Sequence, residues 1–114
     1  MKRDMDLIRA ILLEREGETC QDMSAWSEAL KAYHVALILD AKLAEGATFP
    51  DEEGVPVSGV LTRLTWQGHE FLDVMRDDTI WRSVREKVLM PTASWTFGLL
   101  IEYAKSEIRT RLNI

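Results

Sequence analysis

A single cysteine, Cys20, stands among 114 residues, which excludes an internal disulfide and a thiolate metal cluster held by one chain. Apolar runs are short, well below the roughly 18 to 20 residues that span a bilayer. The start, Met1-Lys2-Arg3-Asp4-Met5-Asp6, meets acidic residues at once, unlike the basic opening and apolar core of a signal peptide. Together these absences lead us to expect a cytoplasmic protein in a reducing compartment with no membrane contact. Basic residues are also scarce: 14 Lys and Arg face 19 Asp and Glu, for a net charge of −5. A non-specific nucleic-acid coat is thereby disfavoured, because such binding rests on neutralising phosphates. Glycine does not gather into a phosphate-cradling loop followed by Lys, so nucleotide binding has no support. What is present is a globular balance of 46% apolar and 29% charged residues, enough for one ordinary core.

Hydrophobic spacing organises that core. Met5, Ile8, Ile11 and Leu12 form a helical stripe over 4–16, with Asp4 as cap and Gly17 as stop. Residues 17–23 read as a loop or brief strand. A second helix starts at Asp22, Ser24 or Ser27 and ends before Gly46, its buried stripe being Leu30, His34, Leu37, Ile38 and Ala41. Residues 46–49 and 55–64 carry strand character on either side of the turn Pro50-Asp51-Glu52-Glu53-Gly54, giving a hairpin. Thr65 caps a helix with Trp66, Phe71, Leu72 and Met75 facing inward, and a bend near Asp77 precedes Ile80, Trp81, Val84 and Val88. Pro91 ends that element, and Thr92 or Ser94 begins a last helix with Phe97, Leu100, Ile101, Ala104, Ile108 and Leu112 on one face.

A helix feeding a hairpin that turns directly into another helix is how the wing of a winged helix begins and ends. The expected fold is therefore α+β, a winged helix-turn-helix-like domain with a β-hairpin wing and a C-terminal helical extension. Residues 1–78 form the core and 79–114 the extension, packed on it as a single domain.

Candidate chemistry is sparse. His34 and His69 are the two histidines, and a metal site completed by Glu70 or Asp73 has no recognised ligand spacing behind it. His34 lies on an apolar helix face, where histidine more often fills core and bonds a neighbour. Cys20 lacks a nearby cation in sequence to activate it. Asp51, Glu52 and Glu53 read as a solvated turn, since consecutive carboxylates do not converge on one cation as alternating ones do. No catalytic residue, cofactor or metal is expected. Of four tryptophans, Trp66 and Trp81 are assigned to core and Trp26 and Trp95 to exposed anchors, with Trp95 a candidate for contacting another chain.

A DNA-binding winged helix needs basic residues on the helix before the wing and at the wing tip. Here Glu28, Lys31, Asp40 and Lys42 cancel, and no Lys or Arg falls between Lys42 and Arg63. The acidic wing argues against DNA, although Lys31, Lys42 and Arg63 are the contacts such a role would use.

The opening Met1-Lys2-Arg3-Asp4-Met5-Asp6-Leu7-Ile8-Arg9, the Tyr33-His34-Val35 segment and Leu64-Thr65-Trp66-Gln67-Gly68-His69-Glu70-Phe71-Leu72-Asp73, followed by Arg76, Asp77 and Trp81, resemble the family called domain of unknown function 2513. The resemblance spans nearly the whole chain. It implies similarity to small winged-helix proteins of the YjcQ type found in phages and mobile elements, and it brings no activity. It also implies a glycine in the turn after the second helix, where this chain has Lys42 before Leu43, so that helix is expected to run longer by a residue or more. The functional expectation is a non-enzymatic phage or prophage accessory or regulatory protein, acting as a protein-interaction module. Trp95, Phe97, Leu100, Ile101, Ala104, Ile108 and Leu112 are its candidate partner or self-association surface, and a homodimer is one form this could take. The alternative is a dimeric winged-helix transcriptional regulator that binds DNA.

Overall fold

A computed structural model of the chain describes residues 2–18, 23–91 and 95–112. Cys20, Asp22, Thr92 and Ser94, with the strand and helix-start assignments that rest on them, lie outside these residues. The order is α1 (Met5–Arg15), a 3-10 turn (Met23–Ala25), α2 (Glu28–Asp40), β1 (Ala44–Pro50), β2 (Pro56–Leu64), α3 (Trp66–Met75), α4 (Asp78–Val84) continued by a π turn (Arg85–Leu89), and α5 (Phe97–Leu112). The architecture is α+β: five α-helices and one two-stranded antiparallel hairpin among the described residues. The chain divides into two compact units, Met1–His69 and Glu70–Ile114, with the division inside α3.

In the first unit α1 starts where Asp4 Oδ1 accepts the backbone N–H groups of Asp6 and Leu7 at 3.0 and 3.3 Å, satisfying two donors that a helix leaves open. Its expected stripe of Met5, Ile8, Ile11 and Leu12 is buried. Leu7, Ala10, Leu13 and Arg9 are buried too, so α1 is enclosed on more than one face. It closes with Gly17 N–H bonded to Glu14 O and Glu18 N–H to Leu13 O, and Gly17 takes φ +80°. That pair of bonds is the left-handed helix closure that glycine accepts without steric cost.

Helix α2 is capped by Ser27 and ends in the same way, with Lys42 N–H to Leu39 O and Leu43 N–H to Ile38 O. The residue in the left-handed position is Lys42, at φ +60°. The helix is therefore not extended through Lys42, as the missing glycine suggested. The buried contact expected between Leu43 and Ile38 in such a closure, and the bonds it makes, hold the lysine in glycine's conformation. The buried face of α2 is Ala32, His34, Val35 and Ile38; Leu30, Leu37 and Ala41, expected on it, are half-buried.

The hairpin packs against α2, with Val35 set against Gly59. Its register pairs Ala44 with Leu64, Glu45 with Arg63, Gly46 with Leu61, Ala47 with Val60, Thr48 with Gly59 and Phe49 with Ser58. Directly opposed residues share a face. Ala44, Leu64 and Leu61 turn inward and are buried, whereas Ala47, Val60 and Phe49 turn outward. A bulge leaves Thr62 without a Cα partner, and its carbonyl accepts Arg15 Nε and Nη2 at 3.2 and 3.0 Å. The tip is shaped by Asp51, whose carboxylate accepts Glu53 and Val55 N–H.

Thr65 joins the hairpin to α3. Its hydroxyl donates to Lys42 O and accepts Gly68 N–H, while its own N–H reaches Leu43 O. A Cβ on Gly68 would run into that Leu43 carbonyl, so the first turn of α3 rests directly on backbone. This is why a helix-weakening glycine stands inside the Trp66-Gln67-Gly68-His69 string.

In the second unit Phe71 is fully buried, edge-on to Trp81 and Phe97 at centroid distances of 6.4 and 5.4 Å. Leu72, Val74, Met75, Ile80, Trp81, Val84, Val88, Leu100, Ile101 and Ala104 are buried with it. Asp77 caps α4 through Thr79 and Ile80 N–H, which produces the bend expected there. Helix α5 is capped by Thr96, whose hydroxyl accepts Leu99 N–H at 3.1 Å. Trp66 is corrected: it is 85% exposed rather than core. Gly68, Phe71, Leu72 and Met75 set the buried side of α3, and a residue two places before Gly68 lies roughly 160° away from it around the helix.

Candidate functional site

No helix of the described residues is long and apolar enough to cross a membrane, and among them no three His, Cys, Asp or Glu side chains gather as a metal site would require. His34 is fully buried, with Nε2 accepting Asp4 N–H at 2.8 Å and Nδ1 donating to Leu30 O at 2.9 Å. Both ring nitrogens are thus used by backbone, which is the structural role expected for it. His69 sits at the surface with Nδ1 3.5 Å from Glu16 Oε1. Trp26, expected to be an exposed anchor, is half-buried, and its Nε1 donates to Asp4 Oδ2 at 3.2 Å. Asp4 therefore ties the start of α1 to α2 through His34 and to the segment before α2 through Trp26.

The three cations assigned to DNA contact stand on three different segments: α2, the turn after it and β2. Lys31 lines a groove of about 490 Å³ shared by α1, α2 and β2, and pairs with Glu28 at 3.1 Å. Lys42 occupies the exposed left-handed turn. Arg63 is engaged on the hairpin by Glu45, Nε to Oε2 at 3.0 Å and Nη2 to Oε1 at 2.6 Å. The groove floor includes Ile11, Ala32, Val35 and Leu61, and its rim carries carboxylates and cations of both signs, Glu14 and Glu28 with Arg15 and Lys31.

The expected self-association stripe on α5 divides in two. Leu100, Ile101 and Ala104 are buried within the chain because they supply its own core, so they cannot form an outer surface. Phe97 and Ile108 are half-buried, and Trp95 is half-buried edge-on to Phe97 at 5.5 Å; Leu112 remains exposed. Nearby, Glu107 accepts the Tyr103 hydroxyl at 3.1 Å and Lys87 Nζ at 3.4 Å. The Tyr103 bond, then that of Lys87, holds the Glu107 carboxyl below its usual range. Burial, followed by the bond to Glu107, pushes the Tyr103 phenol up.

The feature that sequence reasoning underweighted is the outward face of the hairpin. Phe49 and Val60 are 52% and 50% exposed on it, and Val55 and Val57 are about as open toward the tip. Between Leu43 and Thr62 the chain has four carboxylates and no Lys or Arg. The twelve acidic and seven basic residues of Met1–His69 leave −5, the whole of the net charge, because seven of each sign balance in Glu70–Ile114. The strand character of residues 46–49 and 55–64 says nothing of which side stays open; the half-exposure of Phe49 and Val60 shows an outward face that is not polar.

An uncharacterised protein of Haemophilus influenzae is 29% identical over 119 residues, covering 98% of this chain and 99% of that relative. No solved structure matches the chain significantly. The model of a family of hypothetical proteins, DUF2513, matches residues 2–94, a span that takes in the Asp4 cap, the hairpin, the Trp66-Gln67-Gly68-His69 string and the π turn, and the chain belongs to that family.

Proposed function

We propose that the protein is a non-enzymatic interaction module with a winged-helix fold, acting as an accessory or regulatory protein of a phage or prophage and binding protein rather than DNA. The order α1, 3-10 turn, α2, hairpin supports the fold reading, with the turn in the place of the middle helix and α2 in the place that reads DNA in relatives of that architecture. The observation that carries the function is the hairpin itself: half-exposed Phe49 and Val60 on one face, Glu52 and Glu53 at the tip, and Arg63, the one Lys or Arg in its two strands, held by Glu45. A phosphate backbone would be repelled where a winged helix normally holds it. The apolar stripe of α5 is largely consumed inside the chain, so the partner surface is assigned to the hairpin rather than to self-association through α5.

The rival reading is a dimeric transcriptional regulator using Lys31, Lys42 and Arg63. Selection from fragmented host DNA at 150 mM salt, about the physiological ionic strength, separates the two. The proposal expects no enriched sequence. An enriched sequence whose affinity falls with added salt and with Lys31→Glu would overturn it.

A further inference from the structure

The geometry points to the outward face of the β-hairpin, Ala47, Phe49 and Val60 with Glu52 and Glu53 at its tip, as the docking surface for a basic amphipathic segment of a partner protein. This rests on the interaction-module reading and names its surface and the chemistry of its partner.

Two-stranded hairpins exposed to water commonly alternate apolar and polar residues, one face solvated. Here the pairs Ala47–Val60 and Phe49–Ser58 place three apolar side chains and one hydroxyl side by side on the exposed side. Phe49 keeps 52% and Val60 50% of their surface open, and a half-exposed aromatic beside an aliphatic is the sort of residue that anchors an interface when water is driven from it. Such a patch alone does not identify its occupant. The charge around it does. Asp51 is spent on the turn, accepting Glu53 and Val55 N–H, which leaves Glu52 and Glu53 exposed at the tip. At the opposite end Glu45 already holds Arg63, so the face offers an apolar centre with unmatched negative charge at one end only. A complementary segment presents apolar side chains flanked on one side by Lys or Arg. A nucleic acid lacks the apolar part, and a second copy offers on this face no Lys or Arg besides Arg63, which Glu45 already holds.

The probe is a 16-residue helical peptide of leucines on one face and lysines on the other, titrated into the ¹⁵N-labelled full chain, with the leucine-glutamate peptide and a 20-base-pair duplex as comparisons. The expected result is that lysine-peptide shifts concentrate at Ala47, Phe49, Ser58 and Val60 and at the tip. Affinity should fall about tenfold or more in Phe49→Ser/Val60→Ser, a loss of the size interface anchors show. A smaller loss should follow in Glu52→Lys/Glu53→Lys, which leaves the Asp51 turn intact, and the glutamate peptide should leave these residues unmoved. Shifts centred elsewhere, equal binding by both peptides or by the wing variants, or duplex binding on this face would overturn the assignment, as would the same shifts arising on concentrating the protein alone. A partner protein still retained by Phe49→Ser/Val60→Ser would leave the interaction-module reading standing while removing this surface from it.

Discussion

His34 and Asp4 are joined across thirty residues of chain: Nε2 of the buried imidazole accepts the backbone N–H of Asp4 at 2.8 Å, while the carboxylate of the same Asp4 caps α1 and receives Trp26. One residue thereby fixes where α1 begins and where α2 lies against it. Replacing His34 with Leu keeps an apolar volume but strands the Asp4 N–H. We expect a loss of about 2 kcal/mol in urea unfolding, the cost of a buried donor left unpaired. A loss below about 0.5 kcal/mol would mean that the bond contributes little.

Lys42 at φ +60° stands where Gly17 stands at the end of α1. A side chain in the left-handed region costs roughly 1–2 kcal/mol, partly offset because glycine has more freedom to lose on folding. Lys42→Gly should therefore raise stability by about 1 kcal/mol.

Gly68 has the opposite sensitivity. Its Cα side faces the Leu43 carbonyl, with backbone on both sides and no flexible side chain to yield. Gly68→Ala, which improves helix propensity by about 1 kcal/mol in open helices, should here destabilise by about 3 kcal/mol through overpacking. Thermal unfolding of this variant beside Gln67→Ala, an exposed neighbour on the same turn, separates the contact from propensity.

Asp77 is held below the usual carboxylate range, first by the Ile80 N–H and then by that of Thr79. Its folded pKa lies under the unfolded one, so its contribution is fully present above the unfolded value of about 3.9 and fades as pH falls through the folded value. Asp77→Ala should cost about 1 kcal/mol at pH 7, as N-cap losses do. The gap between variant and parent should narrow steadily below pH 4. A gap independent of pH down to 2 would show that the charge of the cap is not what matters.

Much of this fold is legible in the residues. The Asp4 cap, the bend at Asp77, Gly17, the hairpin turn and the stripe of Phe71, Leu72 and Met75 are local signals, each confined to a few neighbouring positions, and each appears where its spacing places it. What local pattern does not carry is the phase of a helix against its neighbours. Trp66 is as apolar as Phe71, and only the contact of Gly68 with Leu43 decides that it points to solvent. The α5 stripe likewise reads the same whether a partner or the chain's own core covers it; Leu100, Ile101 and Ala104 show the second. At Lys42 the closure of the helix overrides a residue's preference: the bonds from Lys42 and Leu43 N–H to Leu39 and Ile38 O impose the turn on a residue that disfavours it. The candidate surface escaped sequence reasoning for a related reason, because Phe49 and Val60 announce a strand without announcing that their outer side stays half-exposed among the described residues.

The central claim is that the hairpin binds protein. Its most direct test is purification of tagged protein from its native host after nuclease treatment, comparing the parent chain with Phe49→Ser/Val60→Ser and sequencing any DNA recovered. The account predicts a stoichiometric protein partner retained by the parent, lost by the variant, and rich in Lys and Arg at the contact mapped by cross-linking. Specific DNA recovered from untreated samples, with no protein that distinguishes parent from variant, would contradict it.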